Sequence, residues 1–412
     1  MRNDQGGELA TFRLAARAGV TAYGEKQSSY EKGRAQSPMS LIIEPVRTRK
    51  ALTEFIRLPR RLYQRMPGYV APLDVERREL IDPKKSPFFT HGEAAFWIAR
   101  RDGRAIGRIS AQIDSLSEEG IGLFGCFDAI DDREVVARLL AAAEDWLRAR
   151  GRRIARGPVT LSINGEPGLQ LDGQTEPPVT LFAWHPPYLE GHLRAAGYSL
   201  AQRLLCFLLD FRTWDHEQLR KVGTIRPRAD ITIRDMRLAH LDEDAEIGRQ
   251  IFNDGWKDNW GFTPASEADI RALTTKFRPF LFKDSGFFVD VRGEPAAFVL
   301  SIPNVFDISA DLGARPGPIG WMKLLYRIWK QRYRGFRVVL IGVASKYRDT
   351  LLGARVTSAA FEELRRRLRA RDAETIIAGW IVESNHATIR LVETFGFQPS
   401  RSYGVYERNL IG

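Results

Sequence analysis

Cysteine is nearly absent: the 412 residues include two, Cys126 and Cys206, each set among apolar neighbours. So low a content excludes a disulfide-stapled fold, and two buried thiols in a reducing cytoplasm are the expectation. No stretch reaches the run of about 18 apolar residues that a membrane-crossing helix needs. The first 38 residues lack the apolar centre of a secretion signal. They are rich in Gly, Ser, Gln and charge, and read as a disordered leader over 1–40, with Met39 as an alternative start. No metal is expected. No recognised nucleic-acid-binding module is present either. What the chain does have is a formal charge of +11, which suits an anionic partner: a phosphate-bearing cofactor, an anionic membrane surface or nucleic acid.

At this length two cores are the natural division. Residues 41–222 read as one α/β unit. A helix spans Thr53 to Gln64, with Pro59 marking a bend or break. A hairpin turns at Arg101-Asp102-Gly103, a strand follows from Gly122 to Ile130, and a helix capped by Asp131 and Asp132 runs to Arg150. A Pro/Gly-rich region from Gly157 to Pro187 reads as ordered loop, followed by a short helix to Ala196 and a strand from Leu204 to Phe211. Residues 213–229 read as a linker. A second unit, 223–412, repeats the order: helix Asp244 to Trp256, a hairpin around Arg292-Gly293-Glu294, and a strand from Val338 to Val343. Helix Ala354 to Ala370, strand Thr375 to Ile381, helix Ala387 to Phe395 and strand Tyr403 to Arg408 complete it. Leu193-Arg194-Ala195-Ala196-Gly197-Tyr198 and Leu391 to Phe397 end corresponding helices, as a duplicated fold would.

Two segments carry the chemistry. In the first, Val343-Ala344-Ser345-Lys346-Tyr347-Arg348-Asp349-Thr350-Leu351-Leu352-Gly353-Ala354, a strand gives way to a helix. Free backbone amides at such a helix start suit a diphosphate. In the second, Glu383-Ser384-Asn385-His386-Ala387 leads through Leu391 to Phe395-Gly396-Phe397. Together they resemble the acyl-CoA signature of the GNAT acyltransferase superfamily, in which an Arg/Gln-x-x-Gly-x-Gly/Ala loop meets the pyrophosphate. Leu351 replaces the first glycine of that pattern. The resemblance implies an α/β, mixed α+β fold: two tandem GNAT-like domains, each a twisted mixed sheet flanked by helices. It implies acyl-CoA or acetyl-CoA as co-substrate, held by Val343, Arg348, Leu352, Gly353, Ala354 and Asn385. It also places acceptor contacts at Trp256, Asn259 and Trp260. Gly157-Pro158, Ser162 to Gly168 and His185-Pro186-Pro187-Tyr188 are further similar to a proteobacterial tandem-GNAT family that includes bacterial ceramide synthases. Members of that kind join a fatty acyl-CoA to a sphingoid-base amine, so a lipid amine acceptor is implied.

Acyl transfer to an amine needs a proton acceptor, an oxyanion-binding amide and a departing thiolate. Glu383, at the end of an apolar strand, is the candidate base, and an N–H near Val343 or Ala344 the candidate oxyanion donor. Val392 stands where many GNAT enzymes carry a tyrosine acid. Tyr403 is then a candidate acid, with Tyr406 beside it, and aromatic packing is the alternative role for each. In the first half Asp131, Asp132 and Glu134 occupy the corresponding helix start and would repel a diphosphate, so that half is expected to be non-catalytic or to shape the acceptor pocket.

From Leu312 to Arg337 there are seven cations and no acid. Trp321, Leu324, Leu325, Ile328 and Trp329 share one helical face, and Lys323, Arg327, Lys330 and Arg334 another. The pattern fits peripheral contact of 321–337 with an anionic membrane, or a core-facing helix with a solvated basic side. The alternatives to a lipid-amine acyltransferase are an N-acetyltransferase acting on a small-molecule or protein amine, a CoA-binding pseudo-enzyme, and a nucleic-acid binder.

Overall fold

The computed structural model describes residues 40–213 and 230–411. Apart from Ser40 and Thr213, the expected leader and linker lie outside the described residues. Chain order begins with β1 (Leu41–Pro45), α1 (Arg49–Tyr63), α2 (Asp74–Ile81), β2 (Gly92–Arg101), β3 (Arg104–Asp114), β4 (Ile121–Ala129), α3 (Arg133–Arg148) and β5 (Ile154–Gly157). Short strands β6 (Val159–Thr160), β7 (Glu166–Pro167) and β8 (Leu169–Gln170) precede α4 (Tyr188–Ala195) and β9 (Ser199–Asp210). The second half supplies β10 (Ile231–Asp235), α5 (Leu241–Trp256), α6 (Glu267–Phe277), β11 (Gly286–Val291), β12 (Glu294–Pro303), α7 (Phe306–Ser309) and α8 (Pro318–Lys330). It ends with β13 (Gly335–Val343), α9 (Leu351–Arg369), β14 (Thr375–Val382), α10 (His386–Thr394) and β15 (Gln398–Asn409).

Local sequence explains most of these elements. Asp132 accepts from the amides of Glu134 and Val135 and starts α3. That helix buries Val135, Val136, Leu139, Leu140, Ala143 and Leu147, each worth about 1.5–3 kcal/mol for the larger side chains. Ser266 and Asp269 form a reciprocal capping box at the start of α6. Pro59 lies inside α1 without ending it; the expected break is absent, and Phe55, Ile56, Leu58 and Tyr63 are buried on either side of it.

Among the described residues thirteen strands form one mixed sheet, in the order β1-β2-β3-β4-β5-β15-β9-β14-β13-β12-β11-β10, with β8 also against β15. The halves exchange their last strands. β9 of the first half pairs with β14 (Ile377 opposite Leu208), and β15 of the second half pairs with β5 (Glu407 opposite Arg156). β9 and β15 pair with each other at the centre, so the interior runs continuously across the join.

Each half contains one parallel pair whose strands then part. β13 and β14 are in register from Gly335 opposite Thr375 to Val338 opposite Ala378. Beyond that point β13 stays with β12, β14 follows β9, and a wedge opens between them. β4 and β5 pair from Ile121 opposite Ile154 to Leu123 opposite Arg156. Their wedge is tight: a Cβ on Gly125 would lie 1.9 Å from the Val159 carbonyl oxygen.

Candidate functional site

The second-half wedge opens into a cavity of about 1550 Å³. β13 contributes Arg337 to Ile341 and Val343, and β14 contributes Ala378 to Val382. The cavity reaches the start of α9 at Arg348 to Thr350, Gly353 and Ala354, and the start of α10 at Asn385 and Ala387. It continues past α6 to first-half residues Phe88, Leu161 and Ile163. Of the residues expected to hold the co-substrate, Val343, Arg348, Gly353, Ala354 and Asn385 line this one space, as do Trp256, Asn259 and Trp260. Leu352 packs against the core beside it.

The turn into α9 is tightly built. Ser345 donates from its amide (2.6 Å) and its hydroxyl (2.8 Å) to Asp254 on α5. Asp254 lies below the usual carboxylate range because it accepts both. Asp349 takes φ 57°, a backbone position that aspartate tolerates better than most side chains. Thr350 caps α9, its hydroxyl donating to the Tyr347 carbonyl (2.7 Å) and accepting from the Gly353 amide (2.9 Å). Gly353 is required because a Cβ there would lie 1.9 Å from the Tyr347 carbonyl oxygen. The Gly353 amide is therefore used internally; helix geometry leaves those of Leu351 and Leu352 without an intrahelical partner. Leu351 is 73% exposed and is not among the residues that line the cavity.

Arg348 does not stand free. It donates to Asp258 (2.6 Å) and to the Gly255 carbonyl, tying the loop to the end of α5. Trp256 donates from its ring nitrogen to the Ile341 carbonyl (3.3 Å) and fixes α5 at the wedge. The guanidinium of Arg156 lies 4.8 Å from the Trp260 ring centroid. Asn385 caps α10, accepting from the Thr388 amide (3.1 Å). Val392 is buried and lines the cavity.

The expected proton-transfer groups sit elsewhere. Glu383 is not among the lining residues; its carboxylate is half exposed, 3.9 Å from Arg203. Tyr403 is fully buried, and among the described residues its hydroxyl has no hydrogen-bond partner. Burial pushes its phenol well above the ordinary value. It lines a separate cavity of about 100 Å³ bounded by Cys126, Asp128, Glu166 and His185. Tyr406 donates to Glu190 (2.6 Å). The Ala344 amide is taken by the Ala296 carbonyl (2.9 Å), which removes it as an oxyanion donor.

Two features went unread in the sequence. One is α6, which supplies Ala268 to Phe277 to the cavity wall; its signal was the Ser266/Asp269 pair. The other is Arg337, grouped with the cations of a basic run but 2% exposed at the apex of the wedge. A charge inside the apolar run Phe336 to Ile341 was the available signal.

Over 377 residues the chain is 36% identical to the bacterial ceramide synthase of Caulobacter vibrioides, covering 90% of this chain and 98% of that one. The chain belongs to the family of that ceramide synthase. A second relative, protein YghO of Escherichia coli, is 32% identical over 363 residues, 87% of this chain and 93% of that one. Solved structures agree on the fold. A tandem GNAT protein from the clavulanic acid biosynthesis pathway superposes with TM-score 0.55 at 13% identity, covering 90% of this chain and 99% of that one. A GCN5-related N-acetyltransferase from Sphaerobacter thermophilus gives 0.51 at 12%, with 90% and 96% covered. No protein-family model matches the chain. The protein is thus an N-acyltransferase of tandem GNAT fold.

Proposed function

We propose that the enzyme moves an acyl group from acyl-CoA to the primary amine of a long-chain lipid, such as a sphingoid base, inside the second-half wedge. The observation that carries this reading is the continuity of one cavity of about 1550 Å³, from a helix N-terminus and Arg348 at one end to apolar first-half side chains at the other. The diphosphate of CoA would meet Arg348 and the amides of Leu351 and Leu352. The pantetheine arm would run between Val343 and Asn385, and the acceptor would lie against Trp256, Asn259 and Trp260. The name of the Caulobacter relative supports the lipid acceptor.

In the reaction a neutral amine attacks the thioester carbonyl carbon. The C–N bond forms and the carbonyl pair moves onto oxygen. Collapse of the adduct breaks the C–S bond; nitrogen loses its extra proton and CoA leaves as thiolate. Valine at 392 donates no proton, and a thiolate leaves well without one. Glu383, one residue beyond Val382, would receive the proton through solvent rather than directly.

The domain division at 222/223 and a non-catalytic first half form part of the proposal. In that half Asp132 occupies the α3 amides itself and pairs with Arg101 (2.8 Å), and the cavity beside Cys126 to Asp128 of β4 is of about 100 Å³. Neither feature suits a CoA ester. Among the described residues no helix is long and apolar enough to cross a membrane. On α8, however, Ile319, Met322, Leu325, Tyr326 and Trp329 are exposed beside Lys323 and Lys330. That face would rest on the cytoplasmic surface of an anionic inner membrane, where a lipid amine is found.

The test is incubation of the purified protein with palmitoyl-CoA and sphinganine, following amide by mass spectrometry and free thiol by colorimetry. Equimolar amide and thiol is expected. Thiol and amide formed only from acetyl-CoA with short amines would replace the lipid reading.

A further inference from the structure

An amine must be neutral to attack, yet four of the five carboxylates lining the cavity are engaged: Asp258 is paired with Arg348, Glu76 with Lys276 and Glu79 with Lys85, while Asp269 is held by Ser266. The fifth, Asp349, belongs to the α9 turn, in the loop proposed to meet the diphosphate. The cavity-lining charge that stands out is Arg337. It is 2% exposed, it lies on the last paired stretch before β13 and β14 separate, and among the described residues it has no carboxylate within ion-pair distance. Burying an unpaired cation costs several kcal/mol, so the fold retains it against a gradient that favours an apolar side chain.

The groups in direct contact with its guanidinium are neutral. From the 157–187 loop, the Thr180 carbonyl accepts from Arg337 (2.9 Å) and the Phe182 ring centroid lies 4.2 Å from the guanidinium carbon. From β14, the Gly379 carbonyl accepts at 3.5 Å and the Trp380 ring lies at 4.3 Å. β9 presents Cys206, pushed up to about 12 by burial, and β15 presents Tyr403, whose phenol is raised by the same cause. Arg401, also on β15, donates to the Pro177 carbonyl and adds a second positive charge behind them. Glu166 acts on Arg337 only beyond ion-pair distance. Burial moves Arg337 itself down to about 10, which leaves it charged at neutral pH. Its Nε and the Trp380 ring nitrogen are both buried without partners.

We propose that the buried charge of Arg337 sets the protonation state of the bound acceptor, holding the amine in its neutral, nucleophilic form without a side-chain base in contact with it. A positive charge at the wedge apex disfavours a second one nearby and favours negative charge on the thioester oxygen as the adduct forms. This rests on the wedge being where the amide is made. Arg337 acts here as a positioning group for a proton and not as a proton acceptor.

The test is the pH profile of kcat, which reports ionisations in the substrate complex, for wild type, Arg337→Gln, Arg337→Met and Arg337→Lys, with palmitoyl-CoA and sphinganine. Removing the charge raises the pKa of the bound amine, so more alkaline solution is needed to deprotonate it. The acidic limb should move up by about one pH unit in Gln and Met, with about a tenfold loss below the limb and near-wild-type kcat on the plateau. Lys, a cation that burial neutralises more readily than Arg, should place the limb between wild type and Gln. Gln keeps a donor for Thr180 and Met removes it, so a purely structural role would lower the melting temperature of Met more than Gln and leave both limbs in place. Unmoved limbs in a folded variant overturn the inference while wild-type turnover leaves the proposed function standing. A wild type that acylates no amine overturns both.

Discussion

The guanidinium of Arg348 and the carboxylate of Asp258 lie 2.6 Å apart across the mouth of the wedge, with the aspartate 66% exposed. So exposed a pair is worth about 1 kcal/mol or less, whereas a charge-assisted bond to a diphosphate is worth about 1.5–3 kcal/mol. On the proposed function the aspartate is a placeholder that the CoA diphosphate would displace. Arg348→Ala is expected to raise the acyl-CoA KM by about tenfold or more, and Asp258→Asn to lower it by about twofold to fivefold. Steady-state kinetics with palmitoyl-CoA at fixed acceptor checks both, and an unchanged KM in Arg348→Ala removes the phosphate site.

Thr350 and Gly353 shape the same turn but report on folding as well as binding. Thr350→Ala loses the α9 cap, at a cost of about 1 kcal/mol. Gly353→Ala forces a Cβ against the Tyr347 carbonyl oxygen and should cost more. Urea unfolding of the two variants is expected to rank Gly353→Ala as the less stable. The reverse order would mean that the backbone approach at Tyr347 relaxes freely.

Tyr403 offers a sign test. Its hydroxyl is buried without a hydrogen-bond partner, and such a group costs about 1–3 kcal/mol. Tyr403→Phe should melt at the same or a higher temperature and keep its kcat. A tenfold loss of kcat in a stable variant would put the phenol on the proton path after all. For Glu383, outside the lining and half exposed beside Arg203, Glu383→Gln is expected to lower kcat by no more than about threefold, in keeping with proton transfer through solvent.

How far the sequence could be read depends on the range of the interaction concerned. Helix α3, the 101–103 hairpin and the α9 turn were legible because caps, glycine turns and apolar periodicity act within a few residues. The strand exchange was not. An alternating strand such as β9 fits any neighbour of matching length, and nothing local says that Leu208 will face Ile377 rather than a residue of its own half. Five of the residues that the GNAT resemblance assigned to the co-substrate line one cavity, because the turns that carry them are short and tightly built. Arg337 was missed because a cation in a basic run looks solvated until the sheet closes over it. Likewise the Gly157–Pro187 region was read as loop, and its contribution of Thr180 and Phe182 to the wedge comes only from tertiary packing.

The α8 face was half legible, and the difference decides which residues to change. The stripe read from the sequence joined Trp321, Leu324, Leu325, Ile328 and Trp329. In the structure Leu324 is buried and Ile328 packs on the core, so the helix docks through them. Trp321, Leu325 and Trp329 of that stripe are exposed, and the exposed apolar face adds Ile319, Met322 and Tyr326, with Met322 at 62% and Trp329 at 72% exposure. Lys330 lies 4.8 Å from the Trp329 ring, and the segment after Gln331 leaves the helix for β13, so the exposed helical face ends there, short of 337. A double change, Met322→Glu with Trp329→Glu, alters only exposed positions and should leave the melting temperature within about 2 °C. It should also abolish most co-sedimentation with phosphatidylglycerol vesicles and raise the KM for a vesicle-borne amine, while the KM for the same amine in detergent stays put. Equal vesicle binding by wild type and variant would free this face from any membrane role.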